Sequence, residues 1–159
     1  MFQKGWKMPL SSTAKERNIK SSIKKFFVDY FGSIVSFDKT VAHPDIRDST
    51  LTKWVLVNFK GFQRSTLAEY VVEVYCATRK DPEGDSLTKL TDELCGLFYN
   101  DIASDGLTRI PLYDIYTTPW TLLSGMVVQE IIDTPIFRMP SDETKVKILT
   151  LRIRWGMQI

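Results

Sequence analysis

The stretch Thr66–Thr78, TLAEYVVEVYCAT, decides how the chain folds. Ala68, Tyr70, Val72, Val74 and Cys76 fall on one side of its alternation. Leu67, Glu69, Val71, Glu73 and Tyr75 fall on the other. An apolar face backed by a mixed one is the pattern of an antiparallel strand whose sheet is covered on one side only. Just before it, Lys53–Lys60 (KWVLVNFK) alternates Val55, Val57 and Phe59 against Trp54, Leu56 and Asn58. With Gly61-Phe62-Gln63-Arg64 as the turn, the two segments form a hairpin. Near the other end, Lys145–Trp155 sets Leu149, Leu151, Ile153 and Trp155 against Thr150, Arg152 and Arg154, a third strand of the same kind.

Outward from these strands the period changes. Ile19, Ile23, Phe26, Phe27, Tyr30 and Phe31 make one stripe of a helix over Ser12–Phe31, with Thr13 and Glu16 as a capping box and Gly32 as its left-handed stop. The opposite face carries Lys15, Arg17, Lys20, Lys24 and Lys25. After the turn Arg79–Gly84, Asp85 or Ser86 caps a second helix. Its stripe is Leu87, Leu90, Leu94, Leu97 and Phe98, and it ends near Asp105-Gly106. Ser33–Phe37 reads as a short strand. Leu107–Ile115 is a strand that Pro111 confines to an edge, and Trp120–Ile132 is a long strand with a bulge expected at Gly125. Pro135 and Pro140 bracket a break. The expected fold is α+β, a mostly antiparallel sheet of five to six strands with two helices packed on one face. It forms a single domain over 1–159, with an N-terminal arm (1–11) and a long loop (38–53).

Composition narrows the chemistry. The 159 residues are 43% hydrophobic and 25% charged, enough apolar matter for a core. A net charge of +2 lacks the cationic field of a dedicated duplex-DNA binder. No apolar run approaches the ~20 residues that span a bilayer, so no membrane role is expected. Met1–Leu10 has Lys4 and Lys7 without an apolar stretch behind them, so no secretory signal is expected. Cys76 and Cys95 are the only thiols, which fits a reducing compartment, and both sit in apolar segments as inert core. His43 is the sole imidazole, beside Pro44 in a polar loop, so neither a zinc site nor a nucleophile with its base is assembled. Phosphate-cradling glycine motifs are absent. No enzyme and no cofactor are expected.

Glu69 and Glu73 share one face of a strand but lie about 13 Å apart along it, too far for glycosidase geometry. Trp54, Leu56, Leu67, Val71 and Tyr75 share that face, apolar residues among charges with no helix left to cover them. Such a face reads as a subunit interface. Glu69, Glu73 and Tyr75 are candidates for one patch, and Arg152 and Arg154 for another. Asp45, Arg47 and Asp48 are candidates for a partner-binding loop; Asp45 and Asp48 would also be the carboxylates of a small enzyme, the least favoured reading. The basic face of the first helix supports the alternative of a nucleic-acid-binding module.

The order helix, hairpin, central helix, β-rich end resembles the tail terminators of long-tailed bacteriophages, with the related neck and tail-completion proteins. The carrying stretch is TLAEYVVEVYCATRKDPEGDSLTKLTDELCGLFYNDIASDGLTRIPLYD, Thr66–Asp114, and the closing LTLRIRWGMQI is similar to the last strand of that family. The resemblance implies a virion protein of the tail or neck, made in the host cytoplasm. Six copies would form a ring that caps the tail tube, stops its polymerisation and meets the head connector. DNA would pass through without sequence-specific contact. A ring of identical subunits needs two different, mutually complementary patches on each copy.

Overall fold

The computed structural model describes residues 10–41, 50–139 and 143–156. Its centre is the strand that the alternation singles out. This is β3 (Leu67–Thr78), flanked by β2 (Lys53–Gln63) and by β7 (Lys145–Gly156), both antiparallel to it. The sheet continues from β7 to β5 (Thr121–Asp133) and to β4 (Ile110–Asp114) at the margin. The short β6 (Phe137–Arg138) pairs with β7 beyond the end of β5. At the opposite margin β1 (Val35–Phe37) lies parallel to β2. The seven-stranded sheet is therefore α+β and mostly antiparallel, as expected, with one parallel pair. A parallel neighbour can be reached only by a crossover of a dozen or more residues. The 38–52 connection supplies that length, so topology alone accounts for the long loop.

Two helices, α1 (Glu16–Phe31) and α2 (Asp85–Gly96), cover the same face. Ile19, Ile23, Phe27 and Phe31 of α1 and Leu87, Leu90 and Leu94 of α2 close over Val55, Val57, Tyr70, Val72, Val74 and Cys76. Leu149, Leu151 and Ile153 of β7 complete this core. Tyr30 departs from the expected stripe and is 50% exposed.

The starts of both helices differ from the sequence expectation. A short 3₁₀ turn, Ser12–Ala14, precedes α1, and no side chain caps α1. The capping-box groups are engaged elsewhere: the Thr13 hydroxyl lies 3.1 Å from the Ser11 hydroxyl, and Glu16 accepts from the Tyr70 hydroxyl at 2.7 Å, while the Thr13 carbonyl accepts from Trp155 Nε1 at 3.0 Å. Neither Asp85 nor Ser86 caps α2. Asp81, four residues upstream of the helix, reaches under it and accepts from Ser86 N (3.2 Å), Leu87 N (2.9 Å) and the Thr78 hydroxyl (3.0 Å). Lys145 Nζ closes the same knot on the Asp81 carbonyl. The second helix also stops earlier than expected, at Gly96. Residues 97–109 form a separate turn with a bridge between Tyr99 and Leu107.

Strand details shift in the same way. β2 runs through Gly61 and Phe62, with an irregularity after Phe59, so the hairpin turns at 64–66. The irregularities of β5 lie around Leu123 and Gln129, not at Gly125. Gly125 instead admits the Arg109 side chain, which lies 3.2 Å from where a Cβ would stand. Pro111 is at an edge, as its ring requires.

That edge is held by two buried polar residues of α1. Asn18 Oδ1 accepts from Ile115 N (3.0 Å), and Ser22 Oγ accepts from Tyr113 N (2.9 Å). Asn18 Nδ2 also donates to the Ser12 carbonyl at 3.0 Å. Asn18→Ala strips the part-buried Ile115 N–H, just past the end of β4, of its acceptor and should cost about 1–2 kcal/mol, read as a lower urea midpoint with unchanged slope. Burial disfavours the Asp81 charge, but its three donors outweigh burial and hold the carboxyl below the ordinary aspartate value. A lowered folded value means stability that is complete at neutral pH and lost in acid. The stability gap between wild type and Asp81→Asn should therefore shrink as pH falls through the carboxylate range.

Candidate interaction surface

The face of the sheet away from the helices carries all five interface candidates. Cross-strand register puts Glu69 opposite Arg154, Val71 opposite Arg152, Glu73 opposite Thr150 and Tyr75 opposite Ile148. The two expected patches are therefore one. Adjacent strands in antiparallel register bring residues that lie 85 apart in sequence side by side. Arg154 Nε donates to Glu69 Oε1 at 2.8 Å, and its Nη1 donates to Gln129 at 2.8 Å. Arg152 faces Glu130 at 4.0 Å. Glu73 receives Lys60 Nζ at 3.3 Å and the Tyr75 hydroxyl at 3.3 Å. Burial, then the Glu73 charge, pushes the Tyr75 phenol up. Every charge named for this face has its counter-charge within the same chain.

The other end of that face overturns the expectation of an uncovered apolar surface. Trp54 and Leu56 are 1% and 0% exposed, in a second small core with Ala77 and Val146. Val41, Leu51 and Met139, from the connections on either side, pack over it together with Tyr75 and Ile148. The Arg79 guanidinium stacks 4.5 Å above the Trp54 ring. The surplus of apolar residues on the second face is thus largely met by the chain's own loops. Of the residues expected to project freely, Leu67 does so, at 55% exposure. Asp45, Arg47, Asp48 and His43 lie outside the described residues.

The basic face of α1 is turned onto aromatic rings and carboxylates. Lys15 and Arg17 sit over Tyr116 at 4.6 and 5.4 Å, Lys20 over Phe59 at 4.9 Å and Lys24 over Phe37 at 5.5 Å. Lys20 also pairs with Asp38 at 2.9 Å, and Lys25 with Asp29 at 2.6 Å.

Exposed apolar side chains gather near the two ends of β5. At its start stand Tyr116 (55%), Trp120 (42%) and Leu122 (63%), with Trp120 against Tyr113, ring centroids 6.1 Å apart. At its end stand Ile132, Ile136 and Phe137, each about two-fifths exposed. Beside the first group, between α1 and the β4 edge, runs an open cleft of about 470 Å³. Phe26, Leu97, Pro111 and Tyr113 form its apolar part, and Lys25, Asp29 and Arg109 its rim. Among the described residues no three His, Cys, Asp or Glu side chains are grouped to hold a metal ion. Cys76 is fully buried, and burial pushes its thiol up to about 12. No helix among the described residues is long and apolar enough to cross a membrane.

The chain matches no protein-family profile, and no curated protein matches it significantly. From sequence alone Trp120 and Leu122 read only as strand formers, so the exposed groups at the ends of β5 are not legible there. Whether a layer covers the face they occupy is set by where the helices pack, which the local pattern does not carry. A double-mutant cycle on Glu69 and Arg154 should give a coupling of about 0.5–1 kcal/mol, whereas Arg152 and Glu130 at the longer separation should give close to none.

Proposed function

We propose that this chain is a structural subunit of a phage tail or neck that works by association. In this reading copies of the chain, six by resemblance to tail terminators, close into a ring. The ring caps the tail tube, stops its polymerisation and joins the tail to the head connector, with DNA passing through the opening. One observation carries the proposal: two distinct apolar groups at opposite ends of a single strand. Trp120 and Leu122 lie at the start of β5, and Ile132, Ile136 and Phe137 at and beyond its end. The ten residue-to-residue steps from Leu122 to Ile132 span about 33 Å. Two different patches separated by most of a subunit are what a head-to-tail, ring-closing contact uses. Burying them on a neighbour would gain roughly 25 cal/mol for each Å² removed from water.

The alternative of a nucleic-acid-binding module draws on the basic face of α1. It is the weaker reading, because Lys15, Arg17, Lys20, Lys24 and Lys25 would have to leave their aromatic or carboxylate partners to reach phosphates.

Light scattering on the chain alone and mixed with a tail tube protein tests the proposal. A multi-subunit species of ring mass is expected, with Leu122→Glu and Phe137→Glu each abolishing it while leaving the thermal melt intact. A strict monomer that binds no tail component overturns the reading. DNA retardation at low salt, lost in Lys20→Glu with Lys24→Glu, would put the nucleic-acid alternative in its place.

A further inference from the structure

We infer that the link between Asp105 and Gly106 is a site of spontaneous isoaspartate formation, and that Arg109 holds it in check in the folded chain. The reaction needs no second reactant but water. The Gly106 backbone nitrogen attacks Cγ of the protonated Asp105 carboxyl and a C–N bond forms. The amide proton and the carboxyl hydroxyl leave together as one water, closing a succinimide ring. Water then reopens the ring at either carbonyl. Opening at the former main-chain carbonyl reroutes the backbone through the side chain. A glycine after the aspartate leaves the attacking nitrogen unshielded, and this is the chain's only Asp-Gly or Asn-Gly pair. Apart from its chain neighbours, no described atom lies within 4 Å of where a Gly106 Cβ would stand. The left-handed backbone there, φ +71°, favours glycine, so the turn itself keeps the vulnerable residue type in place.

The fold both exposes this link and restrains it. Leu107 N donates to Asp105 Oδ1 at 3.1 Å, so the carboxylate curls forward over Gly106. Arg109 takes both oxygens, Nη2 to Oδ2 at 2.7 Å and Nη1 to Oδ1 at 3.3 Å. An ionised carboxylate is a poor electrophile. The Arg109 guanidinium, then Leu107 N, holds Asp105 in that form, below the ordinary aspartate value. The nucleophile is engaged as well: Gly106 N donates to the Ala103 carbonyl at 3.0 Å. Arg109 is itself placed from outside the turn. Its Cβ and Cδ lie 3.2 and 3.3 Å from where a Gly125 Cβ would stand, room that only glycine at that point of β5 leaves. Isomerisation adds a backbone atom between Asp105 and Gly106. The extra length would pull against the bond from Asn100 N to the Gly106 carbonyl (2.8 Å) and against the Tyr99–Leu107 bridge. Tyr99 and Ile102, 58% and 95% exposed, ride on that turn, so the change would register on the surface.

Ageing the full chain in mildly acidic buffer tests the inference, with isoaspartate counted by methyl transfer from an isoaspartyl methyltransferase and located by peptide mapping. Slow accumulation at residue 105 is expected in wild type. Arg109→Ala should speed it about threefold or more, because losing the guanidinium returns the carboxyl toward its ordinary value and enlarges the neutral fraction. Gly125→Val leaves the turn's own residues intact but crowds Arg109 from its place, and should speed the reaction too, with its melt checked against wild type. In urea all three chains should react at one rate, above that of folded wild type. The gap between wild type and Arg109→Ala should narrow as pH falls through the carboxylate range, with the fold followed by circular dichroism. A gap that persists while the fold holds marks mere loosening of the turn and overturns the role of Arg109. Folded wild type reacting as fast as the chain in urea, or modification confined to other residues, would overturn the site itself. None of these outcomes bears on association of the chain.

Discussion

Two buried side chains on α1, Asn18 and Ser22, hold the margin of the sheet closed, and much of the remaining architecture follows from them. A strand at the end of a sheet presents unpaired backbone groups to any passing chain. Along β4 and at the residue that follows it, the positions turned away from β5 are dealt with one by one. Pro111 has no N–H, Tyr113 N is taken by Ser22 and Ile115 N by Asn18. Since the same helix buries Ile19, Ile23 and Phe27 in the core, helix and edge cannot separate without breaking both layers. The cleft beside β4 then opens farther along α1, beyond the last of these bonds, where Phe26 and Tyr30 take over from Asn18 and Ser22.

The strands were legible in the sequence because alternation is a local property. Val72, Val74 and Cys76 went inward and Glu69 and Glu73 outward, as period two requires. What escaped were features decided by residues distant along the chain. The Glu16 half of the expected cap is taken by Tyr70, 54 residues away, and Asp81 displaced the nearer candidates at the start of α2. Asn18 and Ser22, one place before Ile19 and Ile23, belong to neither the apolar stripe nor the basic face that the helical period picks out. Their burial depends on β4 arriving ninety or more residues later. The candidate interface residues were found on the expected face, but as partners of one another. Register between β3 and β7, which a single sequence does not encode locally, is what brought Glu69 to Arg154.

The functional picture shifts with that pairing. A face that sequence alone presents as a binding surface is, in the folded chain, half ion-pair ladder and half second core. Most of the large apolar residues still facing solvent lie instead near the two ends of β5 and on the 99–107 turn. Both places display large side chains on well-bonded backbone, so association there requires little reordering of the chain.

The ladder on the outer face has one more consequence. Arg154 with Glu69, Arg152 with Glu130 and Lys60 with Glu73 are dipoles only a few ångströms long. Their fields cancel well within the ~8 Å over which physiological salt already screens a lone charge. Seen from a distance, this side of the molecule is electrostatically blank. A neighbour drifting toward it feels neither pull nor warning, and whatever discrimination occurs there is exercised by shape, at touching range.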